Sequence, residues 1–369
     1  MAARGARATR ARACAIAVLA SALVPCGARA DDAAWSFDAR SERHLDGAPL
    51  ADFQDPHLWR VLRPRAGWNL GYLFEDASAS RSEGGWTFSL VARERATVVA
   101  SRDTLDLARL IDTGTAPVGD RAFHVRASGF GFGGGGVGVA REWIADPRWT
   151  LHAGVQALAL ARVIDRTIAG SASWNQADGT YAAQLWSPRA DDKLRFPYEQ
   201  GHARVGEAVL ADLSVRWHGD VFSAGAALHD VGRMQWAGLP QQQETLQNHH
   251  AVRDVDGFVV YEPLIQGRDT QSTWRRWCVP VSEAEASVDT GAAGQWTLGT
   301  RYIPGGVFLP RVGARQVAGD WGLEERWNVH ERRAELAVRR AGWRLAVGSD
   351  RLEASRRSLS WQIGWQSGG

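Results

Sequence analysis

Near its end the chain alternates without interruption. In SLSWQIGW (358–365), Leu359, Trp361, Ile363 and Trp365 are large and apolar, whereas Ser358, Ser360, Gln362 and Gly364 are small or polar. A period of two places the first set on one face of a strand and the second on the other. The same pattern recurs upstream. Trp68, Leu70 and Tyr72 carry it in GWNLGYLF, Trp86, Phe88 and Leu90 in WTFSLVA, and Phe123 and Val125 in AFHVRASGFGF. It continues through Trp149, Leu151, Ala153 and Val155, then Leu213, Val215 and Trp217, then Trp296, Leu298, Thr300 and Tyr302. Leu336 with Val338, and Trp343, Leu345 and Val347, complete it. These segments are rich in aromatic and β-branched residues, as strands are.

Turn-forming residues separate the segments, at Ala145-Asp146-Pro147, His218-Gly219-Asp220, Ile303-Pro304-Gly305-Gly306 and Ala318-Gly319-Asp320. Residues 332–350 read as a hairpin. SRDTLDLARLID (101–112) predicts one short helix through Leu105, Leu107, Leu110 and Ile111. The stretch 236–277, with QQQE and NHH, lacks clean alternation and is expected to be a long loop or plug-like segment. No helical pattern lies between strand pairs, which argues against βαβ architecture. No fixed repeat marks a propeller. An all-β fold of antiparallel hairpins remains, as a closed barrel or a sandwich.

The first thirty residues stand apart. Arg4, Arg7, Arg10 and Arg12 precede an apolar run from Ala13 to Val24, and Ala28 and Ala30 supply an A-x-A cleavage site before Asp31. This is the pattern of a secretory signal peptide. Cys26 after Leu23-Val24-Pro25 suggests a lipoprotein site, but Pro25 stands where a small residue is wanted. Residues 31–369 are then the barrel domain. All 41 acidic residues lie there, while Arg4, Arg7, Arg10, Arg12 and Arg29 are five of the 43 basic ones. The part after Ala30 therefore has net charge −3, and nucleic acid is not an expected partner. Cys278 is the one cysteine after the leader, so no internal disulfide is available. No later segment approaches the roughly 18 apolar residues of a membrane helix.

The 18 Trp decide between a soluble and a membrane barrel. Trp68, Trp86, Trp149, Trp296 and Trp343 open strands, and Trp217, Trp361 and Trp365 stand near strand ends. Rings at strand termini suit the two interfacial girdles of a membrane barrel better than a soluble core. The opposite face carries Arg126, His152, Gln156, Asp212, Arg216, Arg301, Arg311, Arg340 and Arg344, a set that suits a watery lumen. It equally suits the wet face of an ordinary sheet.

SLSWQIGW resembles the C-terminal assembly signal of Gram-negative outer membrane β-barrels. Ser358 fills the polar place, Ser360 stands where Gly is usual, and Ile363 and Trp365 fill the two terminal apolar places. A wider resemblance is to long-chain fatty-acid-transporter-like and conjugative-transfer-like barrels. It is carried by GVGVAREWIADPRWTLHAGVQALAL, by GAALHDVGRMQW (225–236), and by QWTLGTRYIPGGVFLPRVGARQVAGDWGL (295–323). That resemblance implies a closed antiparallel transmembrane β-barrel of about 12–14 strands. The fatty-acid family's N-terminal Asn-Pro-Ala hatch motif does not occur near residue 31, so its substrate is not implied.

Candidate chemistry is sparse. His249-His250, with Asp254 and Asp256 nearby, could hold a metal, but neighbouring side chains on extended backbone point apart. Asp191, Asp192 and Glu199 lack the spaced-oxygen pattern of a calcium loop. Cys278 follows Arg275, Arg276 and Trp277 without an identified base. GFGFGGGGVGV (129–139) lacks the lysine of a phosphate loop and reads as a flexible turn between strands. No catalytic, cofactor or metal residue is nominated. The expected protein is an outer membrane barrel of channel, transporter or assembly-accessory type. Its partners would be outer membrane lipid, the barrel assembly machinery and a small or amphipathic solute. A soluble periplasmic β-rich binding module and a barrel enzyme acting on lipid are the alternatives.

Overall fold

A computed structural model describes residues 33–55, 58–196, 205–248, 251–253, 255–256, 259–261, 264–291 and 294–367. The strands are β1 (Ala34–Leu45), β2 (Trp68–Glu83), β3 (Trp86–Ser101), β4 (Arg121–Asp146), β5 (Trp149–Asn175), β6 (Thr180–Asp191), β7 (Gly206–His218) and β8 (Phe222–Asn248). The short β9 (Ala251–Arg253) and β10 (Val259–Tyr261) pair with each other. Then come β11 (Leu264–Cys278), β12 (Val281–Asp289), β13 (Gln295–Ile303), β14 (Val307–Ala318), β15 (Trp321–Asn328), β16 (Arg333–Arg340), β17 (Trp343–Ser349) and β18 (Ser358–Gln366).

Fourteen strands close a ring, in the order β1-β2-β3-β4-β5-β7-β8-β12-β13-β14-β15-β16-β17-β18 and back to β1. The last junction runs from Ser36↔Gln366 to His44↔Ser358, so SLSWQIGW seals the barrel against its first strand. β6 continues the β7 position and β11 the β12 position, both beyond one rim. The other rim holds the short turns 84–85, 147–148, 319–320 and 341–342 and the first and last strand ends, where Trp35 and Ser367 are hydrogen-bonded. The longer connections 46–67, 102–120 and 350–357 lie at the β6/β11 end.

The outer face is apolar where the ring is closed. Leu298, Leu345, Val137, Val155 and Ile363 face outward between two aromatic rims. Trp86, Trp149, Trp296, Trp321 and Trp343, 41–56% exposed, mark the short-turn rim. Phe308 and Trp327 mark the other. Closure leaves no strand edge unpaired around the ring, which hydrocarbon requires. An aqueous protein gains nothing from such a surface. The molecule is a membrane-spanning barrel.

Three local expectations change. Residues 129–139 are not a turn but the middle of β4. A Cβ on Gly136 would stand 1.9 Å from the Ala157 carbonyl oxygen, and one on Gly134 would stand 2.3 Å from that of Ala159. Glycine here lets β4 and β5 approach beside the register shift at Gly133/Gly134. Residues 236–277 hold the outer halves of β8 and β11, paired from Trp236↔Trp274 to Gln247↔Leu264, in place of an irregular loop. Beyond the membrane both faces of a strand can meet water, so Gln241, Gln242, Gln243 and Glu244 show no alternation. Arg340, expected in the lumen, lies instead on the outer face over the ring of Trp321, at 4.5 Å, whereas Arg126 keeps the inward parity of Ser128 and Phe130 and lies at the mouth over the ring of Trp68, at 5.5 Å. A rim arginine stacked on a girdle tryptophan keeps its charge at the wet interface.

The expected helix forms at Arg102–Thr113. Ser101 caps it by accepting from the Thr104 amide at 3.2 Å, and Gly114 ends it at φ +63°. Leu107 and Leu110 pack on Phe123, Val125 and Ala172, which shields that part of the outer sheet.

Candidate functional site

Inward positions change character along the barrel. Towards the long-connection end they are apolar. Leu70, Tyr72 and Phe74 of β2 and Val99 of β3 meet Ile303, Val307 and Leu309 from the far wall. A second cluster gathers Phe132, Leu158, Leu160, Val163, Leu210, Met234, Trp236, Leu239, Trp274 and Cys278. Between the two lies a chamber of about 350 Å³, lined by Phe74, Val99, Phe130, Phe132, Arg95, Asp230, Arg276 and Asp165. That volume is at the small end of ligand pockets. Arg276 stacks on Phe130 at 4.1 Å and pairs with Asp165, while Arg95 lies 5.1 Å over Phe74. The chamber thus offers ring faces and charge together.

Its floor is a belt of ion pairs that crosses the lumen. Arg93 contacts Asp76 at 3.1 Å, Asp212 at 3.5 Å, and Asp230. Arg95 bridges Asp76 at 2.8 Å and Asp230 at 3.2 Å, and Arg40 reaches Asp76 at 2.7 Å. On the far side Arg301 joins Glu42 and Glu283, each at 2.8 Å, and Arg311 joins Glu283 at 3.1 Å. β3 and β8 are separated by β4, β5 and β7 in the ring, so the Arg93–Asp230 and Arg95–Asp230 contacts span open lumen.

A bulge makes this possible. Between Ala211 and Leu213 of β7 the register slips, so β8 presents both His229 and Asp230 towards Asp212. Asp230 has φ +63°, a left-handed conformation that Asp and Asn tolerate better than most residues. Asp230, Arg95 and Arg93 keep only 6%, 9% and 11% of their side-chain surface exposed. Buried charges of this kind persist only in compensated sets.

Beneath the belt a polar vestibule of about 500 Å³ extends towards the short-turn rim, lined by Arg216, His218, Glu285, Arg315, Glu324 and Arg344 among others. Glu324 gathers Arg326 at 2.7 Å, Arg339 at 3.3 Å and Arg344 at 3.5 Å. At the opposite end Asp46 ties the connection after β1 to the turn after β15. It accepts the Leu70 amide at 2.9 Å and contacts His44, His330 and Arg65. Burial alone would raise its pKa. The hydrogen bonds from His330 and His44 outweigh that and hold the carboxyl far below the usual range, so it is ionised.

Of the residues read as lumenal from sequence, Asp212, Arg216, Arg301, Arg311 and Arg344 do line the interior, and Gln156 donates to Asp212 at 2.8 Å. Sequence reasoning missed Arg93, Asp230, Glu42 and Asp46. The partners lie 137 residues apart for Arg93 and Asp230, and 284 for Asp46 and His330. Cys278 is buried in the second apolar cluster. Asp191 and Asp192 are taken up locally: Asp191 accepts from Arg189 and Asp192 from the Val163 amide. Ser358 and Ser360 face inward, bonded to Arg333 at 3.2 Å and Glu335 at 3.0 Å. Trp365 faces outward beside Trp343, ring centroids 6.4 Å apart, and Ile363 is also outward. Ala28, Ala30, Glu199, His249, His250 and Asp254 lie outside the described residues.

No protein-family model matches the chain, and no curated protein does. Among solved structures it is similar to the toluene transporter TodX of P. putida, with 9% identity, 92% of this chain and 91% of that one covered, and TM-score 0.38. The toluene transporter TbuX of Ralstonia pickettii gives 7% identity, coverage of 92% and 90%, and TM-score 0.31. The translocator domain of the autotransporter NalP from Neisseria meningitidis gives 9%, 99% and 98%, and 0.28.

Proposed function

We propose that this protein is a Gram-negative outer membrane channel for a small amphipathic solute, held shut by the belt of ion pairs. The observation that carries the reading is vertical order inside the barrel. An aromatic chamber with two Arg–Asp pairs rests on a charged septum, and a polar vestibule follows. A solute with an apolar part and a charged part finds partners for both in the chamber. Competing for Arg95 or Asp230, it would loosen the septum and pass. Short turns on the rim that carries the chain ends fit the periplasmic side of such barrels, which places the chamber outside. In this reading residues 1–30 are the export signal, cut after Ala30, and Ser358, Ser360, Ile363 and Trp365 present the strand that the assembly machinery recognises. The role is passage rather than catalysis.

Proteoliposomes test it. Phenylalanine, with a ring and paired charges, should enter faster than glucose, and both should be slow in protein-free vesicles. Equal rates for phenylalanine with and without protein would overturn the proposal.

A further inference from the structure

We propose that His44, Asp46 and His330 form a binding site for a transition metal of the zinc class, and that Arg65 is the cation that occupies it in the metal's absence. His44 is the penultimate residue of β1, Asp46 is the first residue after that strand, and His330 stands in the turn between β15 and β16. The Leu70 amide fixes the Asp46 carboxylate from behind, at 2.9 Å. His44 Nε2 lies 3.1 Å from Asp46 Oδ1, and His330 Nε2 lies 3.2 Å from Oδ2. The three ligand atoms fall within 4.8 Å of one another. Zinc–nitrogen and zinc–oxygen bonds of about 2.0–2.1 Å in a tetrahedron set ligands roughly 3.4 Å apart, so small shifts bring the three atoms onto one ion. His44 and Asp46 are each 3% exposed and His330 is 17% exposed, so the first two are already desolvated and held.

Arg65 reports that the place is made for positive charge. Its Nη1 stands 2.5 Å from Asp46 Oδ1 and 3.1 Å from His330 Nε2. Its side chain is 39% exposed and can swing outward, leaving a fourth position for water. Two imidazoles and one carboxylate suit zinc, cobalt(II) or nickel(II); calcium wants six or more oxygens. Bound metal would fasten the two connections beside the His44–Tyr72 ring contact of 5.6 Å, at the roof of the apolar cluster.

The test uses the full chain after export, without a histidine tag, folded in detergent and stripped by a chelator. Zn²⁺ alone is titrated by calorimetry, and Co²⁺ by its visible spectrum. One saturable site per chain is expected. His330→Gln should weaken it at least about tenfold, as loss of a ligand does. Arg65→Gln should tighten it at least about tenfold, because a competing charge is gone. A double His249→Gln, His250→Gln variant should bind as the parent does. Slower migration after boiling, checked for each variant, shows that it had folded. Absence of saturable binding overturns the proposal. So does binding that vanishes in the His249/His250 variant. Should His330→Gln not fold, Arg65→Gln still decides, since unchanged affinity there contradicts the site.

Discussion

Asp230→Asn should make the barrel leak ions. Asparagine keeps the size and tolerates the φ of +63° at this position, so the change removes charge with little strain. Arg93 then keeps Asp76 and Asp212 and Arg95 keeps Asp76, and two nearly buried guanidiniums lose their common partner across the lumen. Breaking one side of a buried pair costs roughly 3–5 kcal/mol, part of which the remaining carboxylates recover here. The folded state can relieve the excess positive charge by admitting water and anions through the septum. Planar-bilayer recordings should show a raised, anion-preferring conductance, and urea unfolding in vesicles a lower midpoint. Conductance and midpoint both equal to the parent's would show that the Arg93–Asp230–Arg95 contact neither closes the lumen nor holds it together.

The second large effect lies on the outer face. Leu298 is 63% exposed and lies on the outer face, one outward position from Trp296, within the apolar band between the girdles. Leu298→Arg should cost up to about 2–4 kcal/mol in a bilayer, the range reached by arginine towards the midplane of a membrane barrel. Its neighbour Thr297 faces the polar vestibule, and Thr297→Arg should cost much less. On a sheet bathed in water the first substitution would be harmless, since it replaces an exposed apolar side chain by a charged one. Urea titration of both variants refolded into vesicles measures the difference. Equal stability would remove the lipid from the account.

Much of the barrel was legible because its strands cross hydrocarbon. One face must then be oily and the other wet, and that demand writes period two into segments such as WTLGTRY and SLSWQIGW. Tryptophans at strand ends announced the interfaces for the same reason. Legibility failed where the demand lapses. Beyond the rim, the outer halves of β8 and β11 have water on both faces and no alternation to show. In β4 the glycines answer to how near β5 comes, a tertiary fact that makes a strand look like a linker. Arg340 looks lumenal by composition, but the Trp321 ring beneath it lies on the outer face. The belt was half visible. Asp212, Arg301 and Arg311 followed the alternation, whereas Asp230 reaches the lumen only through a bulge that shifts the parity of its strand. His44 and Asp46, at the end of β1, lie far along the chain from His330, and no local pattern joins the three.

Burial of the girdle in lipid is measured most directly by tryptophan fluorescence in vesicles whose acyl chains carry bromine. Trp86, Trp149, Trp296, Trp321 and Trp343 project from the barrel at one rim and Trp327 at the other, so strong quenching relative to unbrominated vesicles is the predicted result. Emission indifferent to bromine, from a chain recovered as a dissolved monomer without detergent, would contradict it.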